Sequence, residues 1–279
     1  MTVSSGERSL GHRSLRLAFA LVALVTIGAV VAVVQQSVGP ESLEPRPVLV
    51  ELFTSEGCLS CPPADKLLMK LAEEQPVSGA LIIPLSQHVD YWNSAWTDPF
   101  SSSVFTDRQM SYNRALGTNA AYTPQMVVDG RFELVGSRGR LAQDVIATAA
   151  RAPKATIRLR QGQSRLDNTV SIQLGLDAVD QFLVGKQLEL WLAVTEQGLE
   201  TRVERGENAF RLLRHPAVVR TVKAVETFVW TKAEAKSFEA VVNLESRWVR
   251  SQLRVVAVLQ ELSSRQIVGV SQIRVNELE

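Results

Sequence analysis

Cys58 and Cys61 are the only cysteines in this 279-residue chain, and they stand where a strand pattern gives way to a helical one. The apolar run Val48-Leu49-Val50-Glu51-Leu52-Phe53 precedes them. Ala64-Asp65-Lys66-Leu67-Leu68-Met69-Lys70-Leu71-Ala72, apolar at helical spacing, follows. A C-x-x-C pair at such a junction narrows the choice of fold sharply, because a strand must end beside the start of a helix. It also sets two thiols one turn apart, close enough to close a disulfide. Unpaired backbone N–H groups and the positive end of the helix dipole stabilise a thiolate there. Cys58 is therefore expected to titrate below the free-cysteine value of about 8.5.

The first forty residues have a different character. Arg8, His12, Arg13 and Arg16 precede an uncharged apolar run over 17–34. As a helix these residues would span about 27 Å, close to the hydrocarbon thickness of a bilayer. The basic flank puts 1–16 in the cytoplasm and everything after Gln35 outside it. The run is long for a signal peptide and no clean small-x-small site follows, which favours a retained anchor over a cleaved signal. Either way the body is exported, and a periplasmic or other extracytoplasmic location is expected, with the membrane as a partner through the N-terminal segment. Removing residues 1–40 takes three Arg and one Glu from 30 basic and 29 acidic residues, so the body is nearly neutral. Nothing in that balance suggests a nucleic-acid partner.

Export changes the meaning of the cysteines. A body of this size can fold on its apolar core, and a disulfide closed across two residues stabilises little. A structural staple is thus the weaker reading. Structural zinc wants four ligands, and only His88 and His215 remain in the body to help the two thiols.

Residues 35–47, rich in Pro and polar side chains, read as a linker. Strands are expected at 48–53 and 80–85, with a helix between them to about residue 74. Both are apolar runs without alternation, as in parallel strands covered on both faces. An aromatic-rich stretch over 87–106, a helix at 107–116, a hairpin with an Asp129-Gly130 turn over 122–136 and a helix at 138–152 complete a first domain, 48–152. Pro153 marks its end. From there short, partly alternating runs at 156–160, 169–176, 188–195, 238–244, 253–259 and 267–275 predict half-buried antiparallel strands, in a β-rich second domain over 153–279. The charged segment 201–214 reads as a solvated loop, with a partner-binding role for Arg205, Glu207 and Asn208 as the alternative.

The strand, the C-x-x-C and the Thr123-Pro124 that opens a strand ending in Asp-Gly together resemble the thioredoxin superfamily. More narrowly, three stretches resemble a bacterial family called domain of unknown function 1223. They are Val50-Glu51-Leu52-Phe53-Thr54-Ser55-Glu56-Gly57-Cys58 with Cys61-Pro62-Pro63-Ala64-Asp65, then His88-Val89-Asp90-Tyr91-Trp92, then Tyr122-Thr123-Pro124-Gln125-Met126-Val127-Val128. Arg205-Gly206-Glu207-Asn208 fits that family too. The resemblance implies an exported protein with an α/β thioredoxin-like domain, and no particular reaction. The strand pattern of the second half adds an all-β sandwich-like domain or partly open barrel after it. The resemblance makes Pro124 a cis-proline opposite the dithiol, with the Thr123 backbone free to pair with substrate. Gly57 stands where thioredoxins carry tryptophan, and Leu59-Ser60 replaces Gly-Pro, so thioredoxin's potential does not carry over. Glu51, on the strand before the motif, matches the buried acid of thioredoxins if the following turn holds one extra residue. It would then take a proton from Cys61; the plainer alternative is a strand-end glutamate.

The function expected is thiol–disulfide exchange on protein or small-molecule disulfides, with a redox partner to reset the dithiol and no organic cofactor. Cys58 attacks as the more exposed thiol and Cys61 resolves. His88, at the end of the second strand, is a proton carrier or thiolate partner, or else a loop histidine. Trp92, Trp96 and Phe100 are expected to pack the insertion, with a substrate-binding rim that includes Tyr91 and Trp92 as the alternative. Two other functions remain open: a copper(I) chaperone with Cys58, Cys61 and His88 as ligands, and a non-catalytic scaffold that binds a partner.

Overall fold

The computed structural model describes residues 1–2, 44–118, 120–163, 168–177, 181–231 and 234–275. The expectations for 1–16, 17–34 and most of the linker fall outside them. Among the described residues no helix is long and apolar enough to cross a membrane.

The chain from Glu44 onward forms one compact unit. Its first half runs β1 (Arg46–Thr54), α1 (Pro62–Glu74), β2 (Ala80–His88), α2 (Ser103–Leu116), β3 (Gln125–Val128), β4 (Phe132–Val135) and α3 (Gly139–Ala150). The linker therefore ends sooner than expected, since Arg46 and Pro47 already belong to β1. The second half is β5 (Ile157–Gly162), β6 (Thr169–Leu176), β7 (Gln187–Glu196), β8 (Leu199–Arg202), β9 (Leu212–His215), β10 (Val218–Val229), β11 (Lys236–Asn243), β12 (Leu253–Glu261) and β13 (Ile267–Arg274).

These halves share one sheet. Its eight strands lie in the order β13-β12-β7-β10-β2-β1-β3-β4, with β1 and β2 parallel and the seam between halves at β10 beside β2. Val218 pairs with Ser86 there, and the Ser86 amide donates to the Ala217 carbonyl. The expected α/β thioredoxin-like domain followed by an all-β sandwich-like domain is therefore overturned. Of the described residues 43% are in strands and 20% in helices, and the body is mostly β around a mixed sheet that runs through both halves. Pro153 is not a break in that sheet.

The pleat of β1 explains why its sequence is a continuous apolar run. Val48, Val50 and Leu52 face α1 and α3, packing on Leu68, Leu71 and Ile146. Leu49 faces the other way, into a cluster with Leu85, Phe105 of α2, Trp191 and Val256. That second cluster draws side chains from both halves. A third core lies between β5, β6 and β11 and the inner face of β7 and β12, built on Ile172, Leu174, Leu190, Val255 and Trp230.

Glu51 shares the Leu49 face, away from α1. It is fully buried, and Arg108 of α2 donates to it through Nε (2.6 Å) and Nη2 (3.1 Å). Gln87 Nε2 donates at 2.8 Å and the Tyr112 hydroxyl also donates to it. The guanidinium lies against the rings of Trp191 and Tyr112, 4.2 and 5.0 Å from their centroids, and bonds Gln260 of β12. This cluster ties β1, α2, β7 and β12 together. Removing the cation strands a buried carboxylate, so Arg108→Met should destabilise the body by about 3 kcal/mol, read by urea unfolding. A change within error would mean that Glu51 finds other compensation.

Candidate functional site

The cysteine turn is built by the end of β1 and the start of α1. Cys61 is the N-cap residue, with helical φ and ψ, and Pro62 and Pro63 fill the first turn. Pro suits that position because its missing N–H is one the helix would leave unpaired. The same prolines remove donors that were expected to face a thiolate. The next amides, Ala64 and Asp65, both bond back to the Cys61 carbonyl. The helix dipole remains, and the Ser60 hydroxyl lies 3.4 Å from Cys58 Sγ.

Cys58 and Cys61 are joined as a disulfide, with Cα atoms 5.4 Å apart. Cys58 is not the exposed thiol that its place suggested. It is 1% exposed and Cys61 0%, while Leu59 between them is exposed. The loop between β8 and β9 accounts for this. Asn208, itself fully buried, donates through Nδ2 to the carbonyls of Glu56 and Cys58, both at 2.9 Å. Glu207 accepts from the Leu59 amide at 3.0 Å. The segment expected as a solvated loop is thus bound to the cysteine turn, which gives two of its marked residues a place in the site. No bond of Arg205 to the turn accompanies them among the described residues.

Trp92 closes another side. A Cβ added to Gly57 would lie 2.9 Å from the Trp92 carbonyl oxygen and 3.1 Å from its Cβ, so only glycine fits before Cys58. Trp92 Nε1 donates to the Thr123 hydroxyl at 2.8 Å. The Thr123–Pro124 peptide is cis. Pro124 Cβ and Ala64 Cβ both lie within 3.3 Å of one point beside Gly136, so the proline sits against the first turn of α1. Tyr91 is at the rim, its hydroxyl donating to Gln109 at 3.0 Å. Because backbone must move to admit a methyl group, Gly57→Ala should cost about 1–3 kcal/mol and disturb the dithiol. Melting temperature and thiol reactivity, measured together, check this, and unchanged values for both would contradict the close approach.

Behind the turn lies a buried polar cluster. His88 Nδ1 meets Asp98 Oδ2 at 2.7 Å, and that oxygen also accepts from the Glu56 amide at 2.8 Å. Glu56 Oε1 meets His215 Nε2 at 3.0 Å, and its Oε2 accepts from Trp96 Nε1 at 2.7 Å. The two imidazoles stand edge to face with centroids 4.8 Å apart. Burial opposes ionisation of Asp98, but His88 and the amides of Glu56 and Phe100 hold its pKa below the usual value. Asp65 of α1 adjoins this cluster. Thr54 Oγ1 donates to its Oδ2 at 3.3 Å. Burial pushes its carboxyl from 3.8 up to about 7, against the pull of His215 and Thr54 and helped by Asp98 and Glu56.

Trp92 lies against Gly57 and bonds Thr123, and Pro124 lies near Ala64 at the start of α1, so these three neighbour the turn that carries Cys58 and Cys61. Glu51 does not: it lies on the opposite face of β1, held by Arg108, so its carboxylate has no route to Cys61. His88 is neither exposed nor in a loop; it ends β2 and bonds Asp98. His88 Nδ1 is engaged by Asp98, and among the described residues no three His, Cys, Asp or Glu side chains are grouped to hold a metal ion. Asp65, Asp98, Glu56 and His215 join the surroundings of the turn from outside the expected set. For Asp65 the signal was present, an acid one turn after Cys61 on an otherwise apolar face.

Compared with known proteins, the chain matches the family model described as "Protein of unknown function (DUF1223)" over residues 49–260. It belongs to that family. Among solved structures it is similar to protein AGR_C_4864 from Agrobacterium tumefaciens, at 27% identity and a TM-score of 0.63 over 83% of this chain and 96% of that one. It also shares its fold with HBP35 of Porphyromonas gingivalis, at 16% identity and a TM-score of 0.65 over 84% and 77% of the two chains. No curated protein matches it.

Proposed function

We propose that this protein is an exported thiol–disulfide oxidoreductase that works through the Cys58/Cys61 couple, and that its first half is related to the thioredoxin superfamily. The observation that carries this reading is a disulfide at the start of α1 whose turn is held by the side chains of Asn208 and Glu207, about 150 positions later, with Trp92 packed against Gly57. A bond closing so short a loop adds little to folding, and the body already has three extensive cores. Such surroundings fit a pair that is opened and closed.

In the forward direction Cys58 thiolate attacks a substrate disulfide, forming a mixed disulfide and releasing one substrate thiol. Cys61 then attacks Cys58 Sγ, the mixed bond breaks, and the second substrate thiol leaves. Two electrons pass from the dithiol to the substrate; the reverse sequence donates a disulfide. A separate redox partner resets the pair. The extracytoplasmic location belongs to the same proposal and rests on the basic and apolar character of residues 1–34.

Equilibration of the full chain against glutathione buffers tests this. The expected result is a single reversible two-electron transition of the pair with the body folded throughout. A pair that stays oxidised at every ratio, or whose reduction unfolds the body, would mark the bond as a staple.

A further inference from the structure

Disulfide exchange needs a place for one proton. Cys61 is fully buried, and a buried thiol must lose its proton before it can attack Cys58. The acid expected for this task, Glu51, is committed to Arg108 on the far face of β1.

A second carboxylate is better placed. The Asp65 amide bonds the Cys61 carbonyl across one turn of α1, so the two side chains stand on the same helix face, about 5–6 Å apart at Cβ. Asp65 is 4% exposed, and its Oδ1 has no hydrogen-bond partner among the described residues. Thr54, at the end of β1, occupies only Oδ2. The ionisable groups around it come from three other segments: His215 ending β9, Glu56 in the turn after β1, and Asp98 before α2. A carboxyl half-ionised near neutrality can both take and return a proton there, and burial gives Asp65 that property, with a pKa of about 7.

We infer that Asp65 accepts the Cys61 proton when that thiol resolves a mixed disulfide at Cys58, and that His215, bonded to Glu56 beside it, favours the Asp65 carboxylate from the second half of the chain. The inference rests on the exchange reading. In the step, the Cys61 S–H bond breaks and its proton goes to Asp65. The sulfur then forms the bond to Cys58 Sγ, and the substrate sulfur leaves as a thiolate that is protonated from water. In the reverse direction Asp65 returns the proton to Cys61. The second half of the chain thereby becomes part of the redox centre.

Two measurements on the full chain test it. In Cys58→Ser, Cys61 is the only thiol, and its thiolate absorbance is followed against pH with and without Asp65→Asn. With the carboxyl present the Cys61 thiol and Asp65 should titrate as a coupled pair in two steps, and Asp65→Asn should leave a single thiol step. Superimposable titrations would overturn the inference whatever the exchange assays show. In the second, the protein with glutathione on Cys58 is prepared, and glutathione release is timed across pH. Asp65→Asn should slow release about a hundredfold at neutral pH and converge on wild type in alkali, where hydroxide removes the proton. Asp65→Glu should restore most of the rate, and His215→Gln should move the profile to higher pH. A loss equal at every pH would overturn the inference by reducing Asp65 to a packing role. If wild type neither forms nor resolves the glutathione adduct, the exchange reading itself fails, and the thiolate titration still decides whether Asp65 and Cys61 are coupled.

Discussion

On the proposed exchange function, serine in place of Cys58 should abolish disulfide exchange, whereas serine in place of Cys61 should give a protein that accumulates mixed disulfides it cannot release. The two sulfurs are bonded to each other, yet their positions are not equivalent. Cys61 is the N-cap residue of α1, beneath the turn. Cys58 precedes the helix, beside the Ser60 hydroxyl and next to exposed Leu59. On the proposed function, a partner would reach Cys58 once the Asn208 and Glu207 contacts yield, and Cys61 would react from within. Non-reducing gels of the two variants, followed by mass spectrometry of the trapped adducts, give the answer. Adducts on Cys61 in the Cys58→Ser protein would reverse the roles.

Replacing Asp65 with asparagine should stabilise the body by about 4 kcal/mol in mildly alkaline solution and by almost nothing in acid. The figure follows from the rise of its pKa from 3.8 to about 7, with the group fully buried. A carboxyl whose folded pKa is raised contributes full stability below the unfolded value of about 4, where it is protonated in both states. Stability then falls as pH rises through the folded value of about 7, because the folded protein must give up a proton that its burial favours keeping. Asparagine has no such titration. Urea unfolding at several pH values should therefore show curves that coincide near pH 4 and diverge to alkaline pH, at about 1.4 kcal/mol per unit in between. Parallel curves would show that Asp65 is better solvated than its surroundings imply. Costs of this kind gather at sites that use the group, and the same substitution that stabilises the fold should impair exchange.

The region around the cysteines was legible because local chemistry dictates it. An apolar strand, a C-x-x-C, and prolines at a helix start leave little freedom, and β1, α1 and the β3–β4 hairpin lie close to where the pattern puts them. The joining of the halves was illegible for a specific reason. β10 carries Val218-Val219-Arg220-Thr221-Val222-Lys223-Ala224-Val225, with register shifts between Val219 and Thr221 and between Ala224 and Glu226. Each bulge inserts a residue and breaks the two-residue period by which a strand is recognised. That strand is the one beside β2, so its broken period conceals the sheet that both halves share. The charged loop misled in a similar way. Glu207 and Asn208 look solvated in sequence, but their partners are backbone groups of the cysteine turn some 150 positions earlier. Glu51 and Asp65 illustrate the limit of position alone. Both are acids flanking the motif, and only the pleat of β1 and the turn of α1 decide which of them faces the thiols.

The most direct test of the central claim is turnover. The reduced full chain is mixed with insulin and a glutathione supply too weak to reduce insulin quickly by itself, and cleavage of the insulin disulfides is timed against a no-protein control. Repeated turnovers per protein molecule, lost in Cys58→Ser and slowed at neutral pH in Asp65→Asn, are the predicted result. A rate equal to the control, from a protein whose Cys58 and Cys61 are demonstrably reduced and whose body is folded, would contradict it.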